Sequence, residues 1–538
     1  MNDRTRVPTP EASMPPAALP VRAVLATGLG LGVAGDVLLR GPGGPGVNVF
    51  LLFVGLGAAV WALSRRARLT LSREALLMMG IGIALATTLV VRGSEALRFV
   101  AFLAAGVAFA LPAFRAGGAW LRRSGVSRQV EAVLGAGMNA LAGSFRLIGA
   151  TLVGPAGRQN ASRASVGEAA SARRHTAWAV LRGVLLAIPF LFLFGALFMS
   201  ADRMFSDLVT DVFRLDFGQI ASHLVVTLVL TWLACGYLTG FLTGTHPVEM
   251  PGAVRFRPRL GLVEIGVALL MVDLLFAAFV GVQFRYLFGG SAMVEVTPGL
   301  TYAEYVREGF GQLMLACALV LPPLLAADWL LDARGRRDAL AFRVLGGLLL
   351  LLLVMIIASA FQRVHAYQAV YGLTEPRFYG ALFLVWLTLL TAWFAATVLR
   401  GHRERFAFPA LVSGFAFVAF LVAVNPDVRI ARTNLERAAD VPAATEAVEP
   451  VEGVDAAYLA SLGADAVPVL MAGLADLPTQ PRCVLARGLL ERWGPDATRE
   501  SDWRHWNWPE SRAREVVGAG VDTLRAMAAN RDDCPPDE

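Results

Sequence analysis

The chain has 538 residues, 56% of them hydrophobic and 17% charged, with a formal net charge of +6. A charged fraction well below the roughly 25% of soluble domains excludes an ordinary water-soluble enzyme. The positive charge does not signal nucleic acid, because all 48 basic residues are arginine and they gather in short gaps between apolar runs, with no nucleic-acid motif beside them.

The absence of lysine, with heavy use of Ala and Gly, is the codon bias of a GC-rich bacterial genome. The fold class that follows is all-α, a polytopic membrane helix bundle with a small soluble helical domain at its C-terminal end. Residues 1–20 are polar and Pro-rich and read as a disordered tail. No small-residue cleavage site follows Val21–Leu39, so that run is expected to be a span and not a signal peptide.

Eleven transmembrane helices are predicted, at 21–39, 47–63, 74–91, 97–114, 178–200, 219–243, 260–284, 309–331, 340–361, 378–399 and 406–424. They divide into four spans over 21–114 and seven over 178–424, separated by the stretch 115–177. The gaps "SRRAR" (64–68), 115–177, "RFRPR" (255–259), "DARGRRD" (332–338) and "RGHRER" (400–405) carry the arginines. By the positive-inside rule they are cytoplasmic, as is the N-terminus, in a bacterial inner membrane. An odd number of spans then leaves 425–538 extracytoplasmic.

Within 115–177, the segment 130–154 places Leu134, Met138, Leu141, Phe145, Ile148 and Leu152 at helical spacing. Glu131 and Arg146 lower its tendency to insert, so it is expected to lie as an amphipathic helix on the cytoplasmic surface. If it crossed, everything downstream would change side.

After Val424 the composition turns polar, and 455–493 reads as two or three short amphipathic helices broken by Gly and Pro. Cys235 and Cys317 lie in apolar spans as small buried hydrophobes. Cys483 and Cys534 share the C-terminal domain and are free to pair there if it is extracytoplasmic. The spacing fits no zinc site, and no metal or cofactor is expected.

Ionisable groups inside spans need a partner or a task. Asp273, midway along 261–284, is either an ion- or proton-binding carboxylate or half of a structural pair with His223 or an arginine. The extracytoplasmic gaps are rich in charges, aromatics and carboxamides. They yield a candidate polar cluster of Asp202, Gln283, Arg285, Tyr286, Tyr302, Glu304, Tyr305, Arg307, Glu308, Arg363, His365, Tyr371, Glu375, Arg377, Asn425, Asp427 and Asn434. Such groups serve equally as an ion-pair network over span ends or as the lining of a shared site.

The strings "PFLFLFGALFMSADRMF", "VQFRYLFGG", "GLTYAEYVREGF", "YGLTEPR", "NPDVRIARTNLERA" and "DWRHWNWPESRAR", in this order from about residue 175 to about 515, resemble an uncharacterised bacterial membrane family. It is the domain-of-unknown-function family numbered 4173, near the 4153 group. The resemblance implies an integral membrane location and carries no activity or catalytic residue.

Three functions compete. A sensor or assembly scaffold, with the C-terminal domain binding an envelope protein, asks least of the residues and ranks first. A transporter of ions or small solutes would couple through Asp273, although no inverted repeat is apparent. An envelope enzyme on a lipid-linked or cell-wall substrate would draw on Asp202, Glu304, Tyr305, Glu308 and His365, although no nucleophile motif, Walker loop or HExxH is present. The lipid bilayer is the expected partner in every case.

Overall fold

The computed structural model describes residues 20–41, 43–114, 121–152, 217–244, 260–288, 310–331, 335–440, 454–497 and 502–529. Among these residues every regular element is a helix, and the only β-type pairing is an isolated bridge between Leu260 and Leu331. Long apolar runs that must satisfy their own backbone groups away from water have little alternative to the helix. Ten helices among the described residues are long and apolar enough to cross a membrane, and each coincides with a predicted span. The predicted span 178–200 lies outside the described residues.

The first four spans are α1 (Val21–Leu39), α2 (Val47–Arg66), α3 with its short continuation α4 (Arg73–Ala86 and Thr88–Val91), and α5 (Glu95–Ala110). Ser72 and Ser94 cap α3 and α5, each hydroxyl accepting the backbone N–H three residues on. Then come α6 (Val126–Leu152), α7 (Phe217–Thr243) and α8 (Leu262–Phe288). The next span is split into α9 (Phe310–Ala318) and α10 (Leu321–Leu330), with Pro322 and Pro323 opening the second piece, where a missing N–H costs least. Helices α11 (Arg336–Tyr371), α12 (Glu375–Thr397) and α13 (Ala407–Val424) complete the bundle.

Two packing styles coexist. Helix α7 runs between α1 and α6 on small residues. A side chain at Gly32 would strike Thr231, and one at Gly143 would strike the backbone of Gly236. Such close approach replaces hydrophobic burial as the attraction between helices in lipid. Helices α8, α11 and α12 instead interdigitate large residues, with Leu349, Leu353, Ile356, Ile357, Leu384 and Phe394 all buried.

The bundle has two distinguishable faces. One carries Arg65, Arg66, Arg73, Arg122, Arg336 and Arg403, with Arg122 beside Glu74 and Arg403 beside Asp328. The opposite face carries the α1–α2 and α4–α5 turns, the start of α12 and the end of α13. Helix α7 also begins on that opposite face, because His223 bonds Asp36 and Ser222 accepts from Arg40 at the end of α1. Helix α5 ends on the arginine face, so α5 and α7 both begin on the opposite one.

Helix α6 corrects the expectation of a helix lying on the surface. It runs antiparallel along α7: Gly240 abuts Asn139, Gly236 abuts Ala140, and Trp232 donates to the Leu141 carbonyl and accepts from Ser144. Its packed side is Ala132, Ala136, Asn139, Gly143 and Ser144, while the apolar stripe faces away from the protein, with Leu134 62% and Leu141 64% exposed. The amphipathic period is present, but the small face binds protein and the greasy face is left for lipid.

Beyond α13 the chain forms a compact unit of short helices: α14 (Pro426–Asp440), α15 (Ala456–Ser461), α16 (Val467–Gly473), α17 (Thr479–Trp493), α18 (Trp508–Ala519) and α19 (Val521–Ala528). Its core is made by Ile430, Leu459, Leu470, Leu485, Leu489, Trp493, Val517 and Leu524. Three helices occupy 455–493, matching the amphipathic pattern read there.

Candidate functional site

The C-terminal unit is seated on the face opposite the arginines, held at two places. The first is the turn at Asp502–Asn507, in the string "DWRHWNW". Arg504 donates to the Val37 carbonyl at 2.7 Å, His505 Nδ1 to the Gly44 carbonyl at 2.7 Å, and the Val47 N–H donates to the Trp506 carbonyl at 3.2 Å. Asn507 is buried. It donates to the carbonyls of Leu89 and Arg92, both at 2.9 Å, and accepts the Glu510 N–H to start α18. One carboxamide thus satisfies the loose end of α4 and the first turn of α18. The glycines of "GPGGPG" make room for this latch, since a side chain at Gly43 would strike the His505 ring and one at Gly46 the carbonyls of His505 and Trp506.

The second attachment is an acidic joint. Asn425 ends α13 in the left-handed conformation (φ 53°), which turns the chain into α14 and lets its amide donate to Asp465 at 3.0 Å. Asp465 also accepts the Gly93 N–H and lies 3.5 Å from Arg92, whose Nε donates to the Val422 carbonyl. Burial raises the Asp465 pKa, while the Gly93 amide, Arg92 and Asn425 pull it back down. Asp427 is fully buried, and among the described residues no donor meets its oxygens in good hydrogen-bond geometry, the Gly463 N–H only pulling its pKa partly back down. Burial, then the Glu375 and Asp465 carboxyls, push its pKa up to about 7. A side chain at Gly463 would strike the Asp427 carboxyl, so this contact requires glycine.

The start of α12 is clamped by the same unit. Asn434 exchanges two hydrogen bonds with the backbone of Leu373, at 2.9 and 2.7 Å. The Glu375 N–H donates to the Tyr458 hydroxyl at 2.7 Å, and Arg377 donates to the carbonyls of Tyr371 and Gly372. Burial pushes the Tyr458 hydroxyl up to about 12, so it remains protonated. Ser94 and Tyr379 share a bond of 3.1 Å.

Of the predicted cluster, Tyr371, Glu375, Arg377, Asn425, Asp427 and Asn434 therefore belong to the joint or its clamp. Gln283 and Arg363 form a different set, with the Gln283 carboxamide oxygen accepting from Arg363 at 2.6 Å and Ser359 at 2.9 Å. Arg363 lies eight residues before the end of α11, about 12 Å along the helix. His365 is exposed. Arg285 and Tyr286 lie on α8, and the positions of their side chains are outside what is described. Asp202, Tyr302, Glu304, Tyr305, Arg307 and Glu308 lie outside the described residues.

Asp273 is 2% exposed, and neither carboxylate oxygen has a hydrogen-bond partner among the described residues. His223, one partner expected for it, bonds Asp36 instead. Cys235 and Cys317 are free and buried. Cys483 is disulfide-bonded, while its expected partner Cys534 lies outside the described residues. No group of three His, Cys, Asp or Glu among the described residues has the arrangement of a metal site.

A cleft of about 1210 Å³ opens between the two attachments. Glu95, Arg98, Phe99 and Phe102 of α5 form one wall, and Trp503, Trp506, Glu510 and Arg514 form part of the other. Arg98 is buried and lies 3.4 Å from Glu510, which is also 3.6 Å from Arg514. Sequence reasoning passed over Arg92, Arg98, Asp465, Tyr458 and Asn507. The signals were the short polar string "RGSE" (92–95) between two apolar runs and the dense aromatic and carboxamide content of 502–508.

A family model described as a domain of unknown function (DUF4153) matches residues 78–472. It starts inside α3, earlier than the resemblance read from the motifs, and stops before the latch. No curated protein and no solved structure matches the chain.

Proposed function

The chain belongs to the DUF4153 family of integral membrane proteins of unknown function, and we propose that it is a cell-envelope scaffold or sensor whose C-terminal helical unit presents the working surface. The observation that carries this reading is the double attachment. A unit fixed through Asn507 and through the Asp465–Asn425–Gly93 joint is held rigidly on the bundle, so its outer face has a defined orientation to the membrane. The arginines on the opposite face support an extracytoplasmic position for it in a bacterial inner membrane.

Two experiments test this. A cysteine placed at the exposed Glu515 of α18 should react with an impermeant maleimide in intact cells, or in spheroplasts if an outer membrane intervenes. Reaction only after lysis would overturn the orientation. Chemical crosslinking in the envelope followed by purification should then enrich the same neighbouring protein with the wild-type chain and lose it with Asn507→Asp. Recovery of the chain alone, or of the neighbour equally with both, would sink the scaffold reading.

One observation favours a second reading. Asp273 lies buried in the middle of α8 with no hydrogen bond among the described residues, where an ionised carboxylate would be costly, as suits a group that takes up and releases a proton or cation. Under coupled transport, Asp273→Asn in proteoliposomes abolishes substrate-driven proton or sodium movement. Under the scaffold reading it leaves crosslinking unchanged.

A further inference from the structure

We propose that the cleft between α5 and the Trp503–Arg514 segment holds a single phospholipid with a zwitterionic headgroup, entering sideways from the bilayer. This goes beyond the scaffold reading and stands without it. On α5, Glu95, Phe99 and Phe102 recur at helical spacing and so share one side, with Arg98 beside them. The charge is at the membrane boundary, and the rings lie up to about 10 Å deeper along the helix. Phe99 is 62% exposed and Phe102 42% exposed, so this wall is open to the surrounding lipid. A polar rim above an apolar flank has the polarity of a lipid standing in its own leaflet.

The facing wall is at the same depth. Arg504 and Trp506 bond the backbone at Val37 and Val47, the ends of two spans, which puts Trp503 and Trp506 at the level of the headgroups. Trp503 is 63% exposed, and indole rings favour that interfacial layer. The cleft exceeds the roughly 300–1,000 Å³ of sites for drug-sized ligands, leaving room for a headgroup and the upper part of its chains.

Charge decides the headgroup. Arg98 and Arg514 both lean on Glu510, the Nε of Arg98 has no hydrogen-bond partner among the described residues, and Glu95 and Glu375 add further carboxylates to the lining. A purely anionic headgroup would meet more acid than base. A phosphate beside Arg514 with an ammonium beside Glu95 satisfies both signs.

The test is photo-crosslinking of the full chain in phosphatidylglycerol nanodiscs containing a trace of phosphatidylethanolamine with a diazirine on its acyl chain, read by peptide mapping. Adducts should concentrate on peptides bearing Phe99, Phe102 and Trp503–Trp508, above those on the exposed Met271 and Leu275 of α8. Unlabelled phosphatidylethanolamine should displace them, and added phosphatidylglycerol should not. Gly44→Trp, whose Cβ would meet only the flexible Arg98 guanidinium at an ordinary 3.8 Å, should lower the adducts about tenfold in a variant that keeps its fold. Glu95→Gln, an exposed change that spares the fold, should remove the preference for phosphatidylethanolamine. Adducts spread evenly over the lipid-facing helices, equal displacement by both lipids, or a folded Gly44→Trp or Glu95→Gln that labels like wild type would overturn the proposal.

Discussion

The two attachments of the C-terminal unit solve one mechanical problem with different chemistry. The latch at Asp502–Asn507 works through backbone groups: the carbonyls of Val37, Gly44, Leu89 and Arg92 and the N–H of Val47. The joint at Asp465 and Asp427 works through carboxyls, one tied down by Gly93, Arg92 and Asn425 and the other buried with no well-placed donor among the described residues. The carbonyls, the N–H and the Asn507 carboxamide of the latch do not titrate, so apart from His505 the first attachment is insensitive to pH, whereas the second changes with protonation. A single molecule can thus keep its unit in place while altering how tightly one side is held.

The largest expected effect comes from breaking the joint sterically. Gly463→Val drives a side chain into the Asp427 carboxyl and should cost about 3 kcal/mol. Accelerated proteolysis of the C-terminal unit would report its release, and unchanged proteolysis would contradict the close approach. Breaking the latch should cost slightly less. Asn507→Ala leaves two carbonyls and one N–H without their partner, about 2–3 kcal/mol in thermal unfolding in detergent.

A pH titration sharpens the contrast. The Asp427 carboxyl titrates near 7 in the folded chain against an ordinary 3.8, so the folded state holds a proton that the unfolded state has released. Its contribution is fully present below about 4 and is lost as pH rises through about 7. Asp427→Asn should flatten this slope, with wild type and variant closest at the acid end. An unaltered slope would place the titrating group elsewhere. The smallest effect belongs to Arg504→Ala, at a partly exposed guanidinium shared between Asp502 and one carbonyl, where melting should shift by less than for either change above.

The spans were legible because hydropathy over some 18 residues is a one-dimensional signal along the membrane normal. That signal assigned Glu375, Arg377, Asn425, Asp427 and Asn434 to one face, and the joint and its clamp draw on these side chains. It says nothing of lateral neighbours. Gly93 meets Asp465 from 372 residues away, and Arg92 meets the Val422 carbonyl from 330. Helix α6 misled for another reason. Amphipathic periodicity identifies a greasy side, and in a membrane that side does not have to be the packed one.

The latch also has a consequence in time. Val37 and Arg504 are 467 residues apart, so the first loop emerges long before its partner exists. At roughly 5–20 residues per second of synthesis, the α1–α2 turn waits on the order of half a minute to a minute and a half with its carbonyls uncovered. A chain truncated before Asp502 never covers them. Synthesis through Asn507 is thereby written into the tertiary structure, because the turn is covered only once that segment exists.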